Sequence, residues 1–239
     1  MEMDLAKNHI DVGIMTNRLE ESLAFWQQEV GLPFEVLLPI GQGLRQHRHG
    51  MNGSVFKLNH ARDPLVDAPL AGYRELSIAR RGIEARRALV DPDGNRVFLV
   101  PPAEDQIVGI RLHLHVRDED AFHAFFGRAL GLERVATKTY RCGDSLLSFE
   151  RANDANADPR FVGRGYRYFT IQIRDVDREH RGVLERGGRE GRPPITLGTV
   201  ARVSFVRDPD GNWIELSQRA SLTGPLPPGT DDFDSALPK

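Results

Sequence analysis

The chain has one cysteine, almost no net charge and no long apolar run, and each shortage excludes a class of protein. Cys142 alone rules out an intrachain disulfide, and we expect it to be a structural thiol. A formal charge of −2 over 239 residues gives no broad attraction for nucleic acid or for an anionic membrane. No apolar run approaches the roughly 18 residues of a membrane span, and the first residues are not those of a signal peptide.

The composition is that of an ordinary globular protein. Hydrophobic residues make up 40% of the chain and charged residues 28%. The length suits one large domain or two of ordinary size. We therefore expect a cytoplasmic globular protein with neither nucleic-acid nor membrane partners. A small-molecule substrate is the expected partner, and a homodimer stays open.

The pentapeptide Asp-Pro-Asp-Gly-Asn occurs twice, at residues 91–95 and 208–212, and an apolar run follows each copy. Asp-Pro-Asp-Gly favours a tight turn, because Pro presets φ and Gly accepts a positive φ. Each copy therefore predicts a turn that leads into a strand. Three residues after the Asn, the first strand carries Phe98 and the second carries Glu215, so the copies differ where a carboxylate could act.

Two more matches occur in the same order along the chain. Residues 23–26 and a following Gly-Leu correspond to residues 123–126 and a following Gly-Leu, and Gly-Tyr-Arg occurs at 72–74 and 165–167. Such self-similarity indicates an internal duplication. The predicted organisation is two homologous domains and a flexible tail, at residues 8–102, 106–219 and 220–239.

Each half opens with a partly alternating strand and an amphipathic helix, then continues as β-like segments. The second half can be read as two βαβββ units. From Gly-Tyr-Arg to the turn the chain advances 19 residues in the first half and 43 in the second. The second unit of the first half is therefore predicted to lack a helix and a strand. The sequence thus predicts an α+β fold of tandem domains built from paired βαβββ units.

Paired βαβββ units that close with Asp-Pro-Asp-Gly-Asn and a Glu-containing strand resemble the vicinal oxygen chelate superfamily. This superfamily includes glyoxalase I, bleomycin-resistance proteins and extradiol dioxygenases. The resemblance covers roughly residues 8–219. It implies glyoxalase-like domains in which curled mixed sheets form cups. It also implies a divalent metal (Fe, Mn, Zn, Ni or Co) held by His and Glu side chains, with positions left open for substrate oxygens.

The resemblance transfers to this sequence only in part. Glu215 corresponds to the family's last-strand glutamate. Arg111 and Tyr168 stand at first-strand ligand positions of the second half, with His113 two residues after Arg111 on the same face. In the first half the corresponding positions carry other residues, namely Asp11, Lys57, Glu75 and Phe98. Neither half contains a complete His, His and Glu set, so metal binding and metal-free binding both stay open.

The candidate residues for chemistry are carboxylates and histidines on these strands. Glu215, Glu75 and Asp11 are candidate acid or base groups, and two carboxylates in one cup could separate their pKa values. The cup of the first half is expected to bring Asp11 and Glu75 together. The candidate metal ligands are Glu215, His113, His47, His49 and Glu75. A solvated edge strand is the alternative for the histidines of residues 44–49.

Four larger side chains are candidates for substrate binding: Arg111, Tyr168, Trp26 and Trp213. The predicted function is a metal-dependent enzyme of the glyoxalase or dioxygenase type that acts on a small oxygenated metabolite as an isomerase, a lyase or a ring-cleaving dioxygenase. The alternative is a metal-free protein that binds or sequesters a small molecule, as bleomycin-resistance proteins do.

Overall fold

The computed structural model describes residues 3–68, 70–155, 158–230 and 237–238. Fifteen strands within these ranges form two mixed sheets. The strands of the first half of the chain are β1 to β7: Asp11–Thr16, Phe34–Gly41, Leu44–Met51, Ser54–Ala61, Tyr73–Ala79, Arg87–Val90 and Arg96–Val100. The strands of the second half are β8 to β15: Ile110–Val116, Glu133–Ala136, Thr139–Cys142, Ser145–Arg151, Gly165–Gln172, Arg189–Leu197, Ala201–Arg207 and Trp213–Arg219.

Each sheet takes one unit from each half of the chain. The eight-stranded sheet has the order β13-β14-β15-β12-β1-β4-β3-β2, and the seven-stranded sheet has the order β6-β7-β5-β8-β11-β10-β9. The halves join where β1 pairs antiparallel with β12 and β5 pairs antiparallel with β8. Both sheets are curled, and the larger one forms a half-barrel cup, which confirms the predicted fold class.

This pairing overturns the expectation that each half closes its own cup. Asp11 lies opposite Thr170 in the larger sheet, whereas Glu75 lies opposite His113 in the smaller one. The two carboxylates therefore cannot share a site. The sequence offered no signal for this exchange, because equivalent units carry equivalent pairing edges whichever half they come from.

Within the described ranges, four α-helices accompany the sheets: α1 Leu19–Ala24, α2 Glu119–Ala124, α3 Val176–Glu185 and α4 Ala220–Thr223. The first two continue as π-helical turns over Phe25–Glu29 and Phe125–Ala129. Glu104–Gln106 form a short 3₁₀ helix. Asp118 caps α2, since its carboxylate accepts hydrogen bonds from the Asp120 and Ala121 N–H groups. Of the helices in the described ranges, none is long and apolar enough to span a membrane.

One large apolar core lies between the helices and the strand faces that point away from the cups. Alternate residues of β1, β4, β8 and β12 enter this core, as do the aromatic side chains of the helices. Trp26 is fully buried there, and its ring lies 3.8 Å from the ring of Phe56. The proposed substrate-binding role of Trp26 is therefore wrong, because its side chain is on the core face.

The second unit of the first half is reduced, as the sequence predicted. It consists of β5, β6 and β7, and no helix occupies residues 80–86, all of which are described. Its counterpart contains α3 and one more strand. The smaller sheet therefore has seven strands instead of eight.

The C-terminal segment is not a free tail where the structure describes it. Residues 220–223 form α4, Thr230 makes a β-bridge with Leu197, and Leu237 packs against a hydrophobic cluster in the cup. Residues 231–236 and 239 lie outside the described residues. The predicted flexible tail therefore does not hold for the described part of this segment.

The second of the repeated turns ties the two sheets together. In the second copy, Asp208 accepts hydrogen bonds from the backbone N–H groups of Asp210 and Asn212 and from the Asn212 amide. The Asn212 side-chain oxygen then accepts a hydrogen bond from the Gly72 N–H at 2.8 Å, just before β5 of the other sheet. The turn thus fixes both its own strand and the contact between halves.

We expect Asp208→Ala to lower the free energy of unfolding by about 2–3 kcal/mol, because buried backbone N–H groups lose their acceptor. The midpoint of urea unfolding would measure this change. Asp93→Ala is the matched control in the other turn, since its Oδ2 has no hydrogen-bond partner, and it should change stability by less than about 0.5 kcal/mol. Equal effects of the two substitutions would contradict the proposed role of Asp208.

Candidate functional site

A cavity of about 220 Å³ opens in the cup of the eight-stranded sheet. Apolar side chains form most of its wall, and polar side chains from the central strands form its floor. The apolar residues are Leu38, Pro39, Ile40, Phe161, Leu197, Val200, Ala201, Val203, Phe205 and Leu237. The polar or charged residues are Gln46, Arg48, Lys57, Tyr168, Glu215, Ser217 and Arg219.

A buried ion pair lies at the centre of this floor. Lys57 Nζ is 2.7 Å from Glu215 Oε2 and 2.6 Å from Thr170 Oγ1. The Thr170 hydroxyl donates to the same Glu215 oxygen at 2.6 Å. The side chain of Lys57 is 4% exposed and that of Glu215 is 14% exposed. Burial lowers the pKa of Lys57, while the charges of Glu215 and Asp11 oppose that change.

Asp11 lies below the floor and is fully buried. Its carboxylate is 2.7 Å from Lys7 Nζ and accepts hydrogen bonds from the Val55 N–H and the Gln172 amide. Burial favours the neutral acid, but the positive charges of Lys57 and Lys7 outweigh it and lower the pKa of Asp11. The side chain is thus fully engaged and does not line the cavity.

Tyr168 closes the floor beside Lys57. Its hydroxyl lies 3.3 Å from the amide of Gln46, and Lys57 Nζ lies 5.3 Å from the centre of its ring. A Cβ atom at position 13 would come within 2.2 Å of this ring, so Gly13 gives the ring its room. Burial raises the pKa of Tyr168 well above its usual range. The phenol is therefore a neutral hydrogen-bonding group, consistent with its predicted place in the site.

Two arginines give the cavity an excess of positive charge. Arg48 donates a hydrogen bond to Gln46, and Arg219 lines the wall further along β15. Neither forms a salt bridge with a residue in the described ranges. Burial lowers the pKa of Arg219, and the charge of Arg48 lowers it further. An anionic group on a ligand would relieve this repulsion.

Trp213 supports the cavity wall without lining the cavity. Its ring packs edge-on against Phe161 and Phe205, and its indole N–H donates to the backbone oxygen of Pro159. Arg207 covers its other side at 4.1 Å. The predicted substrate contact of Trp213 is therefore indirect.

The cup of the larger sheet does not fit the divalent metal that the family resemblance implies. Its four family ligand positions carry Asp11, Lys57, Tyr168 and Glu215. An ammonium group occupies the space beside the one carboxylate that faces the cavity, and a second cation there would meet its charge at close range. Thr170 also satisfies the same carboxylate oxygen. No step of the chemistry in this cavity is therefore assigned to a metal.

The smaller sheet carries different side chains at the equivalent positions. By strand register, the positions that Asp11, Lys57 and Glu215 occupy in the larger sheet are occupied in the smaller sheet by Arg111, Ser148 and Phe98. Arg111 pairs loosely with Asp105 at 3.4 Å instead of facing the cavity of the larger sheet. Its predicted substrate contact would thus belong to the other cup.

One side-chain cluster in the described chain could hold a metal ion. Ligand atoms of His113, His115 and Glu150 all lie within 4.8 Å of one another on the cup face of the smaller sheet. Burial lowers the pKa of His113, which favours the neutral imidazole that metals bind. Glu75 lies opposite His113 and forms a 2.7 Å ion pair with Arg96.

The remaining predicted ligands, His47 and His49, belong neither to the cavity nor to the cluster of His113, His115 and Glu150. His47 and His49 alternate with Gln46 and Arg48 along β3, so they point away from the cavity. His49 instead contacts Gln27 at 3.0 Å. The expectation that these histidines complete a set with Asp11 or Glu75 is therefore wrong.

The residues that sequence reasoning missed include Arg48 and Arg219, which line the cavity, and Thr170, which hydrogen-bonds with Lys57 and Glu215. Thr170 lies two residues after Tyr168, and Arg219 lies four after Glu215, so each shares a strand face with a predicted residue. Alternation along these strands was the available signal. The sequence distinguishes Lys57 only as a departure from the family pattern.

Comparison with known proteins agrees with this fold. Residues 106–216 match the model of the Glyoxalase/Bleomycin resistance protein/Dioxygenase superfamily. A protein of Synechocystis sp. named "Probable lactoylglutathione lyase" is 28% identical over 126 residues, which cover 46% of this chain and 95% of that protein. The chloroplastic protein of the same name from Arabidopsis thaliana is 27% identical over 124 residues, or 35% of its length.

The whole chain also resembles a solved structure. A mutant of glyoxalase I from Zea mays superimposes with a TM-score of 0.72 at 16% identity, over 91% of this chain and 94% of that one. At this level of identity the likeness establishes the fold, including the tandem arrangement. The reaction has to be argued from the side chains.

We expect Lys57→Met to lower the free energy of unfolding by about 3 kcal/mol, because it leaves a carboxylate buried without its cation. The double substitution Lys57→Met with Glu215→Leu should recover most of that loss. Urea unfolding of the wild type, the two single variants and the double variant measures the coupling between the two side chains. Arg86→Met breaks two partly exposed ion pairs, with Glu104 at the same 2.7 Å and with Asp105 at 2.5 Å, and should cost about 0.5–1 kcal/mol. A double substitution as unstable as the sum of the single ones would contradict a buried, coupled pair.

Proposed function

We propose that this protein is a glyoxalase-type enzyme that acts on a small oxygenated molecule in the cavity of the eight-stranded sheet, with the Lys57 and Glu215 pair in place of a catalytic metal. The observation that carries the proposal is the 2.7 Å contact of these side chains at family ligand positions. Matches to proteins named lactoylglutathione lyase support an enzyme of this type.

The pair contains the two groups that an enolisation requires. The Glu215 carboxylate would accept a proton from the carbon next to a substrate carbonyl, and the electron pair of the broken C–H bond would move to the carbonyl oxygen. The Lys57 ammonium would stabilise the negative charge that develops there. Return of the proton to the opposite face of the same carbon completes an epimerisation. Where that carbon bears a hydroxyl, the hydroxyl proton moves to the former carbonyl oxygen and the carbon-bound proton returns to the former carbonyl carbon, which completes an isomerisation. Neither route requires an oxidant.

The wall and the arginines define the class of substrate. Arg48 and Arg219 suit a carboxylate, because a guanidinium binds it through two parallel hydrogen bonds. The apolar wall suits a short hydrocarbon or aromatic body. At about 220 Å³ the cavity is smaller than most drug-sized sites, so the substrate is a small acid that bears a carbonyl group.

A metal-free binding protein is the second candidate. Glu215 Oε2 is satisfied by both Lys57 and Thr170, so the site is complete without chemistry. In that case the cavity would hold the same class of acid unchanged. The two candidates differ in whether the bound molecule loses a proton.

We expect Glu215→Gln to lower the rate of α-proton exchange of a bound keto or hydroxy acid by about 10²–10⁴-fold, because the base is lost. A thermal-shift screen of small acids identifies the ligand, and NMR in D₂O follows the exchange. Glu185→Gln, an exposed carboxylate on α3, is the control and should leave the rate unchanged. Exchange that persists in Glu215→Gln would contradict the role of base, and a tight ligand that never exchanges would favour the binding protein.

Chelation should leave this chemistry intact. Because Lys57 fills the cation's position, dialysis against EDTA should change neither the exchange rate nor the affinity for the acid. The same two measurements on dialysed protein test this expectation. Loss of exchange on dialysis and its return with added metal would overturn the assignment of Lys57.

A further inference from the structure

Two histidines of β8 and a glutamate of β11 converge on the cup face of the smaller sheet. His113 and His115 are two residues apart, so they share that face, and β11 runs parallel beside them with Glu150 in register with His115. Glu150 Oε1 lies 3.1 Å from His115 Nε2 and 3.8 Å from His113 Nε2. Three potential ligand atoms therefore face one point.

Side-chain oxygens orient both imidazole rings toward that point. His113 Nδ1 lies 2.9 Å from Ser148 Oγ, and His115 Nδ1 lies 2.7 Å from Asp154 Oδ1. In each ring this contact leaves Nε2 free to face Glu150. A metal-bound imidazole characteristically has its other nitrogen held by such an oxygen, which fixes the tautomer and the ring.

We propose that His113, His115 and Glu150 form a binding site for a divalent transition-metal ion, separate from the cavity of the larger sheet. Ligand atoms at about 2.1 Å from a tetrahedral ion lie about 3.4 Å apart, close to the observed 3.1 and 3.8 Å. Small side-chain rotations would complete the geometry. Two imidazoles and one carboxylate suit Zn, Fe(II), Co, Ni or Mn rather than Ca or Mg.

The site does not occupy the positions at which the family resemblance places a metal. In this sheet those positions carry Arg111, Ser148, Glu75 and Phe98, and Ser148 has the supporting role described above. The Glu150 side chain is 58% exposed, so solvent or another ligand can complete the coordination. Since no residue is shared with Lys57 and Glu215, this proposal does not rest on the proposed function.

Binding of Co²⁺ and Zn²⁺ to the tag-free, EDTA-dialysed full chain tests the site. Calorimetry should give one ion per chain, and bound Co²⁺ should show the visible absorption of a site with nitrogen ligands. His113→Gln, His115→Gln and Glu150→Gln should each weaken the affinity at least 100-fold, because each removes one of three protein ligands. Ser148→Ala and Asp154→Ala should weaken it by about 10–100-fold through loss of ring orientation.

The matched control is another histidine–carboxylate pair, His180 and Glu190, whose atoms lie 3.0 Å apart without a second histidine. His180→Gln should leave metal affinity unchanged. Thermal unfolding of each variant without metal checks that it is folded. No stoichiometric binding, or equal affinity of His113→Gln and wild type, would overturn the site. Equal losses in His180→Gln and His113→Gln would also overturn it.

Discussion

The antiparallel pairing of β1 with β12 is the contact on which the architecture and the candidate chemistry depend. It joins the first unit of one half to the second unit of the other, and β5 and β8 make the equivalent joint in the smaller sheet. Because of this exchange, Lys57 from the first half reaches Glu215 from the second. Neither half can form the central ion pair alone, so the cavity requires both halves of the chain.

A buried ammonium where related folds suggest a metal changes the physics of the cup. Lys57 supplies a single positive charge with hydrogen-bond donors and has no open coordination positions. Its charge is balanced by Glu215, while Asp11 lies behind it with partners of its own. The excess positive charge therefore rests on Arg48 and Arg219 at the wall. In the proposed function, Arg48 and Arg219 therefore bind the negative charge of the substrate, while Glu215 transfers the proton.

The duplicated units have diverged in opposite directions. The larger sheet has all eight strands and a cavity with charged groups on its floor. The smaller sheet lost a helix and a strand, and Phe98 replaces the last-strand glutamate. Its cup face instead carries His113 and His115, which contact Ser148 and Asp154.

The sequence by itself determined the repeat, the turns and the strand faces. Turn chemistry at residues 91–95 and 208–212 is local, and alternation along a strand decides which side chains share a face. The repeat pointed to Glu215, alternation placed His113 on the face of Arg111, and the shorter spacing in the first half predicted its missing helix, whereas Tyr168 was named only through the family resemblance. Only the tertiary structure decided which unit pairs with which, because equivalent units present equivalent edges to one another. That choice separated Asp11 from Glu75, turned His47 and His49 away from the cavity, and brought Lys57 to Glu215.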